Sequence, residues 1–525
     1  MENASTQIAS ADQTTEQQLL IRGCALLSPT EPGKLLHGQD ILISGQRIEA
    51  LGASGTVTYD PSREVKIIPG DHCIALPGLI NAHTHSLENV LKATSPSLPL
   101  ELWLVPLFSD TVTWTPRFVY LSTIIGAIEM LKTGTTAVLD HLWTASGVAQ
   151  EYLDASMQAY RDVGIRAAVA PSIEDQDLVL EAGAMQGLVF PRHPFVNRFE
   201  SWPSIDEQLA SLERFIATWH NSEDGRLRCI IGPSGIHWCS PYLMQACLDL
   251  ADRYVTVMHL HAVETQLQAA VIRETLGRGG IEYLYRCGML RPGTSLAHAI
   301  WLEEGDLDIL AGTQTTVVHN PVSNLRLGSG HFPLGKARRH GVTVALGSDG
   351  SASNDTQNMF GVLKMTGLMH NRPEDDYRRW PQPTEILELA TTGGAAALGL
   401  REELGRLAPG CLADIVLLDL ENAAFLPLRD PYLHLVYCEH GTSVRTVIVH
   451  GDVVVENGVV CRVDEEALSQ ELRGLCVENQ AAFASNVDDN AVTRELLTKL
   501  DVLRRRILQQ TSDVRNLPKK EFIYR

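Results

Sequence analysis

Short apolar runs alternate with longer stretches of helical periodicity through the middle of the chain. The apolar runs lie at 135–139, 165–170, 255–260, 315–318 and 342–346. The clearest stretches of helical period lie at 121–131 and 205–219. This alternation over residues 76–400 predicts a parallel sheet, and its length suits an α/β fold, the (β/α)8 TIM barrel. A doubly wound open sheet is the alternative, but no Gly-x-Gly-x-x-Gly follows the first strand, which argues against its dinucleotide-binding form.

Two groups of short segments with alternating apolar residues lie near opposite ends of the chain. They occupy 19–23 and 40–48 in the first group, and 414–419, 444–450 and 451–455 in the second. A period of two bounded by glycines predicts strands joined by tight turns. Because neither group has enough strands to be stable alone, we expect a small composite β-sandwich built from 19–75 and 401–465.

The two ends of the chain differ from this body. Residues 1–18 are rich in Ser, Thr, Gln and Glu, which predicts a disordered tail. Residues 466–525 form a predicted helical extension, in which leucines such as Leu496, Leu500 and Leu503 recur at helical spacing. We interpret the adjoining basic run at 504–506 as a solvated helix face rather than a binding motif.

Composition and charge narrow the class of protein. Of the 525 residues 44% are hydrophobic, 43 are Lys or Arg and 63 are Asp or Glu, which gives a net charge of −20. Phosphate backbones and anionic lipids would repel such a chain, so we expect no nucleic-acid partner and no membrane partner. The chain has no apolar run of the roughly 18 residues that span a bilayer and no secretory signal. Ten cysteines without paired spacing indicate reduced thiols, and therefore a cytoplasmic enzyme.

The first chemical signal is a pair of histidines, His83 and His85, at the end of a predicted strand. Residues i and i+2 of a strand point to the same side, so two imidazole nitrogens converge there as a metal requires. Alone the pattern is weak, because His-x-His is expected by chance about 0.6 times in such a chain. A second instance, His259 and His261, does occur.

Three downstream apolar runs also end in potential ligands. One run leads into His261 and Glu264, the next ends at His298, and the third is followed by Asp349. Each residue taken alone is more often structural than catalytic. In a parallel barrel, however, the carboxyl ends of all strands open on one face, where active sites are built. We therefore expect these side chains and the first histidine pair to meet at one point.

Several longer motifs carry a resemblance to a known family. They lie at 77–85, 261–264, 298, 319–330, 347–354 and 405–414. Over about residues 19–465 the chain resembles the amidohydrolase superfamily, in particular its mononuclear deaminase and chlorohydrolase branch. The resemblance implies a TIM barrel with a composite sandwich, a small-molecule substrate, and a homo-oligomer, since relatives are commonly dimers or tetramers.

The resemblance also implies roles for particular residues. It implies one divalent metal, zinc in the first place and iron as the alternative, held by His83, His85, His261 and Asp349. His298 would lie beside the metal-bound water or the substrate. Glu264 would carry protons between water and a leaving nitrogen, and Asp349 would take the proton released on attack.

Lysine positions support a single metal. Dinuclear members of the superfamily bridge two metals with a carboxylated lysine from a middle strand of the barrel. This chain has no lysine between Lys132 and Lys336. A bridging lysine is therefore excluded there, and we expect one metal.

Three further residues are predicted to contact substrate. His319 and His141 follow apolar runs at other strand ends, and Trp103 lies in a segment that resembles the family's loop helix after the first strand. For His141 a satisfied core histidine fits equally well, and for Trp103 plain packing does. For His319 the alternative to substrate contact is a structural role.

Substrate identity is less defined than the reaction. Many relatives carry a substrate-contacting histidine where this chain has Ser234, and guanine deaminases carry an arginine there. The sequence therefore predicts an aminohydrolase that releases ammonia from another small N-heterocycle or from a guanidino compound. The alternative is an amide, urea or carbamate hydrolase that cleaves a C–N bond with the same metal. A catalytically silent scaffold is the third hypothesis, and the complete ligand set argues against it.

Overall fold

The computed structural model describes residues 18–27, 31, 33–108, 112–144, 147–479 and 490–515. Its strands are β1 (Gln18–Leu27), β2 (Leu35–Ser44), β3 (Arg47–Ala53), β4 (Val65–Pro69), β5 (Cys73–Pro77), β6 (Leu79–Thr84), β7 (Thr135–Leu142), β8 (Arg166–Ile173), β9 (Leu227–Cys229), β10 (Gly232–Pro233), β11 (Met258–Ala262), β12 (Thr294–His298), β13 (Thr316–His319), β14 (Thr343–Leu346), β15 (Ile415–Asp419), β16 (Val444–Val449), β17 (Asp452–Glu456) and β18 (Val459–Val460). The predicted tail lies outside the described residues except for Gln18, which already begins the first strand.

The α-helices connect and cover these strands. They are α1 (Leu100–Leu107), α2 (Pro116–Lys132), α3 (Gln150–Val163), α4 (Leu178–Met185), α5 (Pro194–Asn197), α6 (Ile205–Trp219), α7 (Ser222–Gly225), α8 (Pro241–Arg253), α9 (Gln266–Leu276), α10 (Gly280–Arg286), α11 (Asp306–Gly312), α12 (Pro321–Arg326), α13 (Leu334–Arg339), α14 (Ser351–Asn354), α15 (Met359–Met369), α16 (Pro383–Glu388), α17 (Gly394–Ala397), α18 (Pro431–Leu433), α19 (Glu465–Glu478) and α20 (Ala491–Arg515). Within the described ranges, no helix combines the length and apolar character needed to cross a bilayer.

The middle of the chain forms the predicted (β/α)8 barrel. Parallel ladders join β6 to β7, β7 to β8 and β8 to the short strands β9 and β10, which share the fourth place, and run on from β11 to β14. A parallel bridge between Ile231 and Met258 joins the fourth place to β11. The backbone N–H of Asp349 donates to the carbonyl oxygen of His83 at 2.9 Å, which ties the end of the last strand to the first. The expected fold class is confirmed.

Both ends of the chain contribute to one nine-stranded sheet. Its strand order is β18, β17, β16, β15, β5, β1, β2 and β3, with β4 paired to β1. The two ends meet where β5 runs antiparallel to β15, with Pro77 opposite Ile415. Buried Arg166 of β8 donates two hydrogen bonds of 2.8 Å to Asp414, just before β15, and so attaches this sheet to the barrel. The exact domain boundaries stay a prediction.

The C-terminal helix α20 packs against the barrel's first loop helix. Leu496 and Leu500 are buried in a cluster that includes Leu100, Trp103 and Phe195. Farther along the same helix, leucine and isoleucine side chains pack against α4 and α9. This extension therefore lies behind α1, on the side of the barrel where the strands end.

One strand is shorter than the sequence predicts. The apolar run at 255–260 predicts a strand, but β11 begins only at Met258. Val255 has φ of 50° and is 86% exposed, because the chain turns there after α8. The buried part of the run, which carries the histidines, keeps the predicted strand.

Candidate active site

The carboxyl ends of the barrel strands bring four histidines and an aspartate together. His83 lies near the end of β6, and His85 follows its last residue. Their Nε2 atoms both lie 3.3 Å from Oδ1 of Asp349. The ring centroids of His83 and His261 are 5.0 Å apart, and those of His261 and His298 are 5.5 Å apart. The structure therefore gathers the predicted set at one point.

Hydrogen bonds at the Nδ1 atoms fix the orientation of these imidazole rings. Nδ1 of His85 lies 2.6 Å from the carbonyl oxygen of His141, and Nδ1 of His261 lies 2.6 Å from that of Ser234. A carbonyl oxygen only accepts, so each Nδ1 carries a proton, and in the neutral ring that coordinates a metal each Nε2 keeps its lone pair. Nδ1 of His83 lies 2.8 Å from Nε2 of His259. The Nε2 atoms of these rings are thereby presented as donors to a common centre.

The donor set fits a divalent metal. Imidazoles and a carboxylate are ligands that zinc and iron both accept. Potential ligand atoms of His83, His298 and Asp349 lie within 4.8 Å of one another, and so do those of His83, His141 and His261. Nε2 of His83 is completely buried, and despite its closeness to Asp349 it has no hydrogen bond of normal geometry. A buried nitrogen of this kind is satisfied when it coordinates a cation.

Electrostatics keep the aspartate charged. Burial would raise the pKa of Asp349, but contacts with His83 and His85 hold it well below its usual range. Burial lowers the pKa of His83 to about 4. His85 shows the reverse: burial opposes its charge, but Asp349 and the nearby Glu88 raise its pKa to about 9. The centre therefore offers an anionic oxygen to a cation.

Glu264 lies on the loop between β11 and α9, beside this centre. Its Oε2 is 3.6 Å from Nε2 of His298, and its Oε1 accepts a hydrogen bond of 2.8 Å from the Ser329 hydroxyl. Burial raises the pKa of Glu264 to about 7, against the charge of His298, which lowers it. A carboxyl with this pKa can give and take a proton at neutral pH.

Two of these residues have strained backbones. His298 has φ of 69° and Asp349 has φ of 64°, both in the left-handed region that L residues rarely adopt. Nδ1 of His298 is held 2.8 Å from Oδ1 of Asn324, which fixes the ring on this backbone. Such strain is retained where the surrounding structure imposes it, often at functional sites.

A cavity of about 780 Å³, its open mouth included, leads to this centre. Six aromatic side chains line it: Trp103, Phe108, Trp143, Phe195, Trp202 and Trp238. His85, His261, His298, Glu264 and Asp349 form its polar floor. A large cavity with apolar walls and a few convergent polar groups is typical of a site for a small molecule.

The residues predicted to contact substrate lie in different surroundings. Trp103 lines the cavity, and its buried Nε1 has no hydrogen-bond partner among the described residues. His141 is buried beside the metal-ligand set, with its ring stacked 4.8 Å from that of His261, and is not part of the cavity lining. Nε2 of His319 lies 3.1 Å from Nε2 of His370, and His319 does not line the cavity either.

Sequence reasoning missed Glu88. This residue lies in a short 3₁₀ helix after β6, lines the cavity and is 2% exposed. Its Oε2 accepts a hydrogen bond of 3.2 Å from the backbone N–H of Ala352, and burial raises its pKa to about 7. Its spacing in the sequence could have revealed it: Glu88 follows His85 by three residues, just as Glu264 follows His261 by three.

A buried charge cluster in the cavity wall was also missed. Arg198 donates to Glu174 at 3.0 Å and to Asp177 at 2.8 Å. Arg198 and Glu174 both line the cavity. Glu174 and Asp177 lie in the loop between β8 and α4, and Arg198 lies in a short 3₁₀ helix after α5. No spacing in the sequence connects the arginine with the two acids.

Relatives from other organisms are similar in sequence to this chain along most of its length. A 5-methylthioadenosine/S-adenosylhomocysteine deaminase from Pelotomaculum thermopropionicum is 31% identical over 456 residues, which is 86% of this chain and 96% of the relative. A 5'-deoxyadenosine deaminase from Methanothermobacter thermautotrophicus is 30% identical over 466 residues, covering 87% and 99%.

Solved structures and a family model agree with these relatives. A zinc-bound adenosine deaminase from Xanthomonas campestris matches with a TM-score of 0.76 and 25% identity, covering 89% of this chain and 99% of its own. An atrazine chlorohydrolase from Arthrobacter aurescens complexed with zinc matches with a TM-score of 0.78 and 29% identity, covering 87% and 99%. The model of the Amidohydrolase family matches residues 74–454. The chain therefore belongs to the amidohydrolase family and is a hydrolase that uses a divalent metal to act on carbon–nitrogen bonds.

Proposed function

We propose that the protein removes an amino group, as ammonia, from an sp² carbon of a small N-heterocycle or guanidino compound. Adenosine-type heterocycles are the first class to test, because relatives at 31% and 30% identity are named as deaminases of such compounds. The observation that carries the proposal is the position of Glu264, a buried carboxyl with a pKa of about 7 beside the metal-ligand set. A deaminase needs a proton donor at that place, because ammonia leaves only after its nitrogen is protonated.

We assign the metal to His83, His85, His261 and Asp349. The preference for zinc over iron rests on the two zinc-bound structural neighbours. When bound, a divalent metal lowers the pKa of a coordinated water to about 7, so that water can attack at neutral pH.

The acidic residues then divide the proton transfers between them. Oδ1 of Asp349 faces His83 and His85, whereas Oδ2 lies 3.7 Å from Nε2 of His298. Oδ2 therefore takes the proton of the attacking water, and His298 holds the oxygen that develops negative charge. Glu264, neutral below its pKa, donates its proton to the ring nitrogen beside the reacting carbon, then takes the second proton of the attacking water and passes it to the leaving amino group. The proton that Asp349 took from the water then returns to Glu264, which restores both carboxyl groups for the next turnover.

The aromatic walls orient the substrate. Trp103 and Trp143 line the cavity above the polar floor and offer flat faces for a heterocycle. The unpaired Nε1–H of Trp103 donates to an acceptor atom of the substrate. Contributions of His141 and His319 to substrate binding stay predictions, and both would act through neighbouring residues rather than from the cavity lining.

Ammonia release tests the proposal. Purified metal-loaded protein is assayed against adenosine-type nucleosides, other purines, pterins, pyrimidines, triazines and guanidino compounds. Asp349→Asn is expected to abolish release, and Glu264→Gln to lower kcat by 10²–10⁴-fold, the usual range for a general acid. Glu439→Gln is the matched control, since Glu439 is also fully buried and hydrogen-bonded but lies outside the cavity lining. Fully metallated protein that releases no ammonia across the panel would refute the proposal.

The same assay distinguishes the proposed deaminase from the alternative C–N hydrolase. An amide, urea or carbamate hydrolase would produce an opened ring or a freed amine, whereas a deaminase leaves a ring carbonyl and ammonia. Mass spectrometry of the product distinguishes the two. The homo-oligomer and the cytoplasmic location stay predictions; the ten free thiols are compatible with the latter.

A further inference from the structure

A chain of hydrogen bonds runs from one metal-site histidine into the barrel interior. Nδ1 of His83 lies 2.8 Å from Nε2 of His259, and Nδ1 of His259 lies 2.7 Å from the hydroxyl oxygen of Ser295. All three side chains have no exposed surface. They come from β6, β11 and β12, so the chain crosses the centre of the barrel below the metal-ligand set.

The direction of these hydrogen bonds decides whether His83 can bind a metal. A neutral imidazole carries one proton, and only the other nitrogen has a free lone pair. If Nε2 of His83 coordinates the metal, its Nδ1 must carry the proton and donate to Nε2 of His259. His259 then carries its own proton on Nδ1 and donates it to Ser295.

The opposite direction is also possible and is incompatible with metal binding. The Ser295 hydroxyl would donate to Nδ1 of His259, and Nε2 of His259 would donate to Nδ1 of His83. The remaining proton of His83 would then be on Nε2, where it points at Oδ1 of Asp349, 3.3 Å away. In this arrangement His83 has no lone pair for a metal.

The other two imidazole ligands have no such choice. His85 and His261 donate to backbone carbonyl oxygens, which only accept. His259 has a ring nitrogen on one side and a hydroxyl on the other, so in its neutral form it can act as donor and acceptor at once. Only for His83 does the tautomer depend on another side chain.

We propose that His259 is a positioning residue for the metal: it accepts the Nδ1 proton of His83 and donates its own proton to Ser295, and so stabilises the His83 tautomer that leaves Nε2 free to coordinate. This inference rests on the ligand assignment of the proposed function, but it concerns metal affinity and needs no substrate. Outer partners of metal-bound histidines typically change metal affinity by 10–100-fold when they are removed.

The test is the zinc dissociation constant of metal-free protein, measured by competition with a chromophoric chelator. His259→Phe keeps a ring but removes the acceptor, and we expect zinc to bind 10–100-fold more weakly. His259→Gln places an amide oxygen close to the position of Nε2, and we expect affinity within about threefold of the wild type, since an amide oxygen also accepts. Ser295→Ala is expected to give a smaller loss than His259→Phe.

His370→Phe is the matched control. His370 is also buried and in contact with a histidine nitrogen, 3.1 Å from His319, but is not among the metal-ligand groups. It should leave zinc affinity unchanged. Thermal unfolding of each metal-free variant identifies any that does not fold; if His259→Phe does not, Ser295→Ala decides.

Two results would overturn the inference. One is wild-type zinc affinity in His259→Phe, or in Ser295→Ala where that variant decides. The other is an equal loss in His259→Phe and His259→Gln, because packing rather than hydrogen bonding would then be responsible. If the affinities change as expected but no substrate is deaminated, the inference stands and the proposed function fails.

Discussion

The C-terminal helix offers a test of how the cavity wall is supported. Leu500 on α20 is 1% exposed and belongs to the cluster that contains Leu100, Trp103 and Phe195. Those three residues also line the cavity. Replacing Leu500 with alanine removes contacts from behind the wall without touching the metal site.

The expected loss of stability in Leu500→Ala follows from the burial of the leucine side chain. Leucine-to-alanine changes in protein cores destabilise by about 2–5 kcal/mol, more where the surroundings cannot collapse into the space. Leu500 is buried in a cluster that includes the large rings of Trp103 and Phe195, so we expect Leu500→Ala to lower the free energy of unfolding by about 3 kcal/mol. Trp103 and Phe195 lose their support in the same variant. A loss of about 1 kcal/mol of substrate contact corresponds to a roughly fivefold weaker binding, which raises KM more than it lowers kcat.

Leu503→Ala on the same helix is the matched control. Leu503 is 0% exposed but packs in a second cluster with Leu178, Leu267 and Val271, none of which lines the cavity. Urea unfolding should show a similar loss of stability in both variants, and steady-state kinetics should show a raised KM only in Leu500→Ala. Equal KM values in the two variants would refute the idea that α20 supports the substrate wall.

Three further predictions follow from other contacts. Arg166→Met leaves buried Asp414 without its partner and should destabilise by about 3–5 kcal/mol, while the double change with Asp414→Leu should recover most of it, as measured by urea unfolding. Because the pKa of Glu88 is raised from 4.5 to about 7, its stabilising effect is present below pH 4.5 and is lost as the pH rises through 7. Between pH 5 and 8 metal-free wild type should therefore lose up to about 3 kcal/mol relative to Glu88→Gln, and parallel curves would contradict this. Zinc should raise the Tm of metal-free wild type but not of Asp349→Asn, in a thermal shift assay with magnesium as control.

The barrel could be predicted because the sequence pattern of each segment agrees with the element it forms in the fold. The apolar runs predicted at 315–318 and 342–346 lie largely on the buried strands β13 and β14, and helix α6 begins and ends at the predicted residues. That the predicted ligand side chains would lie close together followed from the strand ends, since the carboxyl ends of all strands in a parallel barrel open on one face. What the sequence alone did not determine is which strand-end side chains face the cavity.

His319 and His259 illustrate that difference. His319 lies at a strand end as predicted, yet it contacts His370 and not the cavity, because the ring direction depends on packing from distant helices. The His-x-His pair at His259 and His261 looked like a chance repeat of the first pair. The same period of two applies to both pairs, and it directs His259 towards His83 across the barrel. The contact joins residues 176 apart in sequence, and no local pattern reveals it.

The predicted metal ligands and the cavity wall are held in place by different parts of this molecule. The metal-ligand set and Glu264 all lie on barrel strand ends or the loops after them, within the residues that the family model matches. The cavity wall, by contrast, is supported from outside that match by α20, and Ser234 is among the residues that line the cavity. The Ser234 hydroxyl contacts that of Ser172 at 2.7 Å, while its carbonyl oxygen still holds His261. A backbone atom thus keeps the ligand in place whatever side chain stands there, so the side chain at 234 can change the shape of the cavity without disturbing the metal.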